Sequence, residues 1–380
     1  MVDWCVSVNR RSPRRWMAPL VLSLCSTAAV LLVVEATLRI VRYAPPAPLA
    51  TWRAVNPAHD IALDCYPSNP RGYFDIDLRD RATRTRYERL GVQSLEVIAV
   101  HNPYAVEYRY NSLGFRDREF APRRPCVSRL IVLGDSFTEG QGVEREDAYP
   151  SVLDRLLNAA RPGSWEVWNA GRRGADFPYL LDVATRVIEQ RPDVIVYGMV
   201  LNDAVRSRSF DVQQEYINDW IVDRRWFRPR PRSALRLLDL TRDAIDNYSI
   251  TRQTINWYRG LYGRPNRDGW DETKRYLLRM HRRCKDRNIA FILALWPILA
   301  NVDSAYPFSE ATETVLRFCR QAKIEAYDLR AALRQPTHSL WVHAQDMHPN
   351  EKAHALVAQY LLTRVEKKQT RDGRGSCASH

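Results

Sequence analysis

Apolar residues recur along this chain in three patterns, and each predicts a different element. The first is an uncharged run, WMAPLVLSLCSTAAVLLVV, from Trp16 to Val34. About 20 apolar residues rising about 1.5 Å each cross the hydrocarbon core of a bilayer, so the run predicts one N-terminal transmembrane helix over 16–41. The second pattern begins after residue 128. Short apolar runs (RLIVLGDS, WEVWNAG, DVIVYGMV, IAFILALWP and IEAYDL) alternate with amphipathic stretches such as AYPSVLDRLLNAA and YLLDVATRVIEQ. Buried strands alternating with helices predict an α/β fold, a three-layer α/β/α domain on a five-stranded parallel sheet over 128–367. The third is a set of alternating patches, such as VEYRYNSLGF, within 43–127. There Tyr108, Tyr110 and Phe115 predict β-hairpins in a small β-rich segment.

Breaks in these patterns mark the remaining boundaries. Residues 43–60 are rich in Pro and Ala and read as a linker. The stretch from about 204 to 287 is far longer than an ordinary connection and predicts a helical insertion. It carries Trp220, Trp226, Trp257 and Trp270 among many arginines. The polar residues 368–380 predict a disordered tail.

Charge gives the apolar helix a direction. Arg10, Arg11, Arg14 and Arg15 precede it, against Arg39, Arg42 and Arg53 after it. The positive-inside rule then places residues 1–15 in the cytoplasm and the main domain outside, in the periplasm or at the cell surface. A cleaved signal peptide is the rival reading. Against it, the run exceeds a usual signal core, no small-x-small site ends it, and Leu24 precedes Cys25 where a lipoprotein site needs a small residue. The net charge of +13 over 380 residues favours anionic surfaces without choosing among them. Seven dispersed cysteines show no metal-ligand spacing, and their odd number excludes complete pairing within one chain. No phosphate loop, dinucleotide fingerprint or nucleic-acid module is present, so no cofactor, metal or nucleic-acid partner is expected.

Chemistry concentrates at the predicted strand ends, where open parallel sheets bind ligands. Gly134-Asp135-Ser136 closes the first strand, in IVLGDSFTEGQGV. NAGRRGADF, with Gly171 and Gly174, follows the second, and Asn202-Asp203 the third. DMHPNEKAH, with Asp346 and His348, enters the last helix. In this order the residues resemble the SGNH (GDSL-like) hydrolase family, whose domain is flavodoxin-like. The likeness runs over roughly 128–365, and YNSLGFRDREF resembles the lead-in of membrane-anchored bacterial members. Two departures stand out: Val200 occupies the usual Gly of the third block, with Gly198 two residues earlier, and only Met347 separates Asp346 from His348.

The resemblance implies a serine esterase acting through an acyl-enzyme. Ser136 would be the nucleophile, His348 its base and Asp346 the acid orienting the histidine. Ser136 N–H, Gly174 N–H and the Asn202 amide would form the oxyanion hole. The substrate would be an acylated small molecule, envelope glycan or lipid. An O-acyltransferase acting on an envelope polysaccharide and a non-catalytic membrane-tethered scaffold are the alternatives. Oligomeric state is left open.

For the neighbours, blander roles are expected. Asp135 caps the first helix and Asp203 supports the asparagine loop. Gly171 is a turn residue needing positive φ. His354 serves packing or surface, and His343 is a spare base candidate. A metal site built from His343, Asp346 and His348 lacks a further ligand.

Overall fold

The computed structural model describes residues 14–43, 106, 109–159, 161–175, 177–211, 233–343 and 346–371. The linker after Tyr43, residues 372–380 of the tail and most of the expected β-rich segment, Tyr108 included, lie outside these residues; residues 368–371, expected in the disordered tail, instead continue the last helix. Within the described part of that segment, Tyr110 to Phe115 form turns rather than strands. Asn111 accounts for this locally, because its side-chain oxygen accepts from both Leu113 N and Phe115 N, a side-chain turn that competes with strand pairing.

Five strands form the central sheet: β1 (Ser128–Gly134), β2 (Trp165–Gly171), β3 (Val194–Met199), β4 (Ala290–Leu295) and β5 (Glu325–Asp328). They lie in the order β2-β1-β3-β4-β5, every pair parallel. Strands β2 and β3 are buried along their whole length and β1 from Arg129 onward, as apolar runs covered on both faces must be. Glu166 interrupts the apolar run of β2. It is accommodated by an ion pair with the equally buried Arg129 at 2.9 Å, whose guanidinium lies 3.9 Å from the Trp168 ring centroid.

The apolar N-terminal run is a helix, α1 (Arg14–Ile40). The four-residue α2 (Ser136–Glu139) follows β1, then α3 (Tyr149–Ala159), α4 (Tyr179–Ile188), α5 (Arg236–Leu261), α6 (Arg267–Lys285), α7 (Ser309–Gln321) and α8 (Glu351–Arg371). Helices α3 and α8 pack together on one side of the sheet, and α4, α6 and α7 belong to the other layer. Trp270 of α6 meets Phe318 of α7 edge-on at 5.7 Å. Within the expected insertion, α6 packs on β4 as a crossover helix does, and α5 is an additional described helix. A short antiparallel pair, β6 (Trp341–His343) and β7 (Asp346–Pro349), completes the described strands.

Two sheet registers matter for the site. Gly134 pairs with Gly171 of β2 and with Gly198 of β3, so three glycines form a row where the strands end. A β-carbon at Gly171 would stand 2.4 Å from Glu139 N, and one at Gly198 2.6 Å from Thr138 Oγ1. The row therefore clears the space into which α2 folds back over the sheet. Gly171 is not the positive-φ turn residue expected from sequence; close approach of backbone is what excludes a side chain there.

Candidate active site

Helix α2 begins at Ser136, immediately beyond the glycine row. Asp135 is its N-cap, its carboxylate accepting from Phe137 N at 2.9 Å, and Gly140 ends it in the left-handed conformation at φ 83°. The turn holds Ser136 nearly buried. From β7, His348 reaches it, with Nε2 2.9 Å from Ser136 Oγ. Phe137 meets the imidazole edge-on at 5.3 Å, which fixes the plane of the ring. On the far side of the ring, the Gln141 amide lies 3.3 Å from Nδ1.

Asp346 is two residues before His348 in β7, and its backbone pairs with His343. The side chains of Asp346 and His343 lie outside the described residues. Asn202 sits exposed on a 3-10 turn, Leu201–Asp203, and its side-chain amide bonds to the Asp135 carboxylate. An amide has two N–H groups, so this bond leaves one for a ligand. Gly174 is an exposed turn residue at φ 67°, with nothing within 4 Å of where a β-carbon would be. Its loop folds back on the sheet through Arg172 N, which donates to Gly134 O at 3.0 Å. Asp203 is fully buried, accepting from Tyr197 Oη at 2.7 Å and Val200 N at 3.0 Å, and so closes the asparagine turn.

Burial raises the Asp135 carboxyl to about 6, against the Phe137 N–H, the His348 charge and the Asn202 amide, which favour its ionised form. His354 is buried in α8, accepts from Tyr149 N at 3.2 Å and stacks on the Tyr149 ring. Burial, with the charges of Arg116 and His348, lowers it to about 3, so it stays neutral and serves packing.

Several bracing residues were not read from the sequence. Asn169 donates from Nδ2 to Thr138 O and accepts from Gly171 N, tying the second strand end to α2. Arg116 is buried and donates to Gly140 O at 2.6 Å and Val143 O at 2.8 Å, clamping the segment that carries Gln141. Glu139 and Arg173 form a buried ion pair at 2.6 Å, and Tyr110 Oη donates to the same carboxylate. Arg116 and Tyr110 belong to YNSLGFRDREF, whose presence ahead of the domain was the available signal.

A serine hydroxyl beside an imidazole, next to a helix N-terminus, an exposed turn amide and an asparagine, can attack an acyl carbon. A family model described as GDSL-like Lipase/Acylhydrolase matches residues 132–356. Comparison with curated proteins returned no match. Among solved structures, one similar chain is a catalytic mutant of an acetylxylan esterase from Geobacillus stearothermophilus. It is 17% identical over 64% of this chain and 95% of that one, with a TM-score of 0.40. Another is the psychrotrophic esterase EstA of a Pseudoalteromonas species, 13% identical over 64% and 99%, with a TM-score of 0.39. A third is an alpha/beta hydrolase from the metagenome of Lake Arreo, 17% identical over 64% and 97%, with a TM-score of 0.39.

Proposed function

Because the chain belongs to the GDSL-like lipase/acylhydrolase family, whose model matches more than half of it, we propose that Ser136 is the nucleophile of an acyl-enzyme mechanism served by His348. The chain is a hydrolase of ester bonds. The observation that carries the site reading is the 2.9 Å separation of Ser136 Oγ and His348 Nε2. His348 takes the serine proton as Oγ attacks the acyl carbonyl, then gives it to the leaving alkoxide. The negative oxygen is received by Ser136 N–H, Gly174 N–H and the free N–H of Asn202. Water enters after the alcohol leaves, and His348 activates it to release the acid.

Asp346 is the acid that orients His348, with Gln141 beside the same ring nitrogen. Asp346→Asn is expected to cut turnover by several orders of magnitude, about 10⁴ as for the equivalent change in a serine-protease triad. Turnover retained within a few-fold, with His348→Ala inactive, reduces the site to a Ser–His dyad. Asp135 acts through charge. Its carboxylate favours the imidazolium, so Asp135→Asn lowers the pKa of His348 and moves the acid limb of kcat/KM to lower pH. An acid limb that stays in place contradicts this role.

The substrate is an ester-linked acyl group on an envelope glycan or lipid, met outside the cytoplasmic membrane. The most apolar 18-residue stretch of α1 has a mean hydropathy of 2.3 and none of that stretch is buried, which supports an anchor. Cys126 is disulfide-bonded, which supports an oxidising compartment for the main domain. Transfer of the acyl group to a sugar hydroxyl instead of water is the alternative outcome of the same acyl-enzyme. Incubation with p-nitrophenyl acetate, alone and with a deacetylated envelope polysaccharide, separates the two. Acetate release unaffected by the polysaccharide supports hydrolysis, and acetyl recovered on the polysaccharide overturns it.

A further inference from the structure

We propose that α5 is a rigid strut that holds the Ser136 site far above the membrane surface, so that the ester it cleaves is carried by a polymer or soluble molecule and not by a bilayer lipid. The inference rests on the membrane-anchor reading of α1.

Near its C-terminal end, α1 is locked to the start of α5. The Glu35 carboxylate accepts from Arg236 N at 3.0 Å and Leu237 N at 2.8 Å, capping α5 from outside its own chain segment. Arg39 pairs with Glu35 at 2.7 Å and donates to Ala234 O at 2.6 Å. Further along, Tyr43 Oη donates to Asp243 at 3.2 Å. Glu35 meets residues 236 and 237 and Tyr43 meets 243, with the long Arg39 side chain reaching back to 234, so α5 is taken to continue the course of α1 away from the bilayer.

The other end of α5 meets the site. Tyr262, its C-cap, donates from Oη to Leu201 O at 2.7 Å. Leu201 opens the turn that carries Asn202, and Asn202 bonds to Asp135 beside the nucleophile. From Arg236 to Tyr262 an α-helix rises about 39 Å. The apolar span of α1, 24 residues, is about 36 Å long. The hydrocarbon core is about 30 Å thick, so Glu35 lies within about a turn of its edge. The headgroup layer adds only about 5–7 Å, which leaves the site roughly 30 Å beyond the headgroups.

The foot of the strut suits that placement. Leu235 and Leu238, at its start, are exposed. At the level of the acyl-chain boundary, leucine is a residue type the membrane accepts. An ester inside the bilayer would have to rise the whole height of the strut to reach Ser136. An acyl group on a glycan or on a diffusible molecule already lies at that height.

The test uses the full chain in phosphatidylcholine–phosphatidylglycerol vesicles. A fluorescent amino acid replaces the exposed Met347, beside the site, and a headgroup-labelled lipid serves as energy-transfer acceptor. The labelled protein with Glu35 intact is expected to show a narrow distribution near 30 Å from the headgroup plane. Glu35→Ala is expected to broaden it, and p-nitrophenyl acetate to be cleaved without fatty-acid release from the vesicles. A distance under about 15 Å with Glu35 intact, a distribution unchanged by Glu35→Ala, or hydrolysis of the vesicle phospholipid overturns the strut. Failure of the protein to float with the vesicles overturns the anchor and the strut together. Loss of p-nitrophenyl acetate cleavage with the distances intact overturns the hydrolase reading and leaves the strut supported.

Discussion

Replacing His348 by alanine is expected to lower kcat/KM for p-nitrophenyl acetate by roughly 10⁴-fold or more, with little change in thermal unfolding. The imidazole lies 2.9 Å from Ser136 Oγ, and among the described side chains no neighbour can take over its work. The Gln141 amide does not accept a proton at neutral pH. His354 bonds Tyr149 N from inside the core and is held near 3, too acidic to serve as a base. Because serine and histidine act as one unit, the double variant Ser136→Ala/His348→Ala should be no slower than either single variant. Multiplicative losses in the double variant would mean that the two side chains work independently and would contradict the shared proton path.

The second large effect is structural. Glu139→Ala should destabilise the domain by about 3–5 kcal/mol, because it removes the buried carboxylate that pairs with the buried Arg173 guanidinium. Tyr110 Oη loses its bond to that carboxylate at the same time. For a domain of this size that corresponds to a fall in Tm of about 10 °C or more by calorimetry. Activity should fall as well, since Arg173 precedes Gly174 and Glu139 ends the helix that Ser136 begins. Replacing both partners with leucine should recover much of the lost stability, because a buried pair exchanged for apolar groups leaves no orphaned charge. A Glu139→Ala protein that melts with the wild type would show that the pair contributes nothing to the fold.

The parallel sheet was legible because its strands are short apolar runs between amphipathic helices, a pattern set by burial on both faces. The approach of Ser136 and His348 in the candidate site was legible where residue type and position coincide. Ser136 and His348 stand at a strand end and a helix entry, where few other roles require them. The braces were not legible. Arg116, Arg173 and Glu139 are charged, and in a chain with this many arginines a charge reads as solvated surface until its partners are known. Gly198 was noticed only as a misplaced motif glycine. Its register with Gly134 and Gly171, which explains all three, requires the order of strands in the sheet. The limits of the insertion depend on the same kind of information. Periodicity marks α6 as helical, and only its packing on β4 assigns it to the domain itself.

The most direct test of the account is the mass of the intact protein, quenched in acid within the first turnovers of p-nitrophenyl acetate. The account predicts a population carrying one acetyl group, mapped by fragmentation to Ser136, absent from Ser136→Ala and decaying as acetate is released. An unmodified wild-type protein that still releases acetate, or an acetyl group mapped to any other residue, would contradict it.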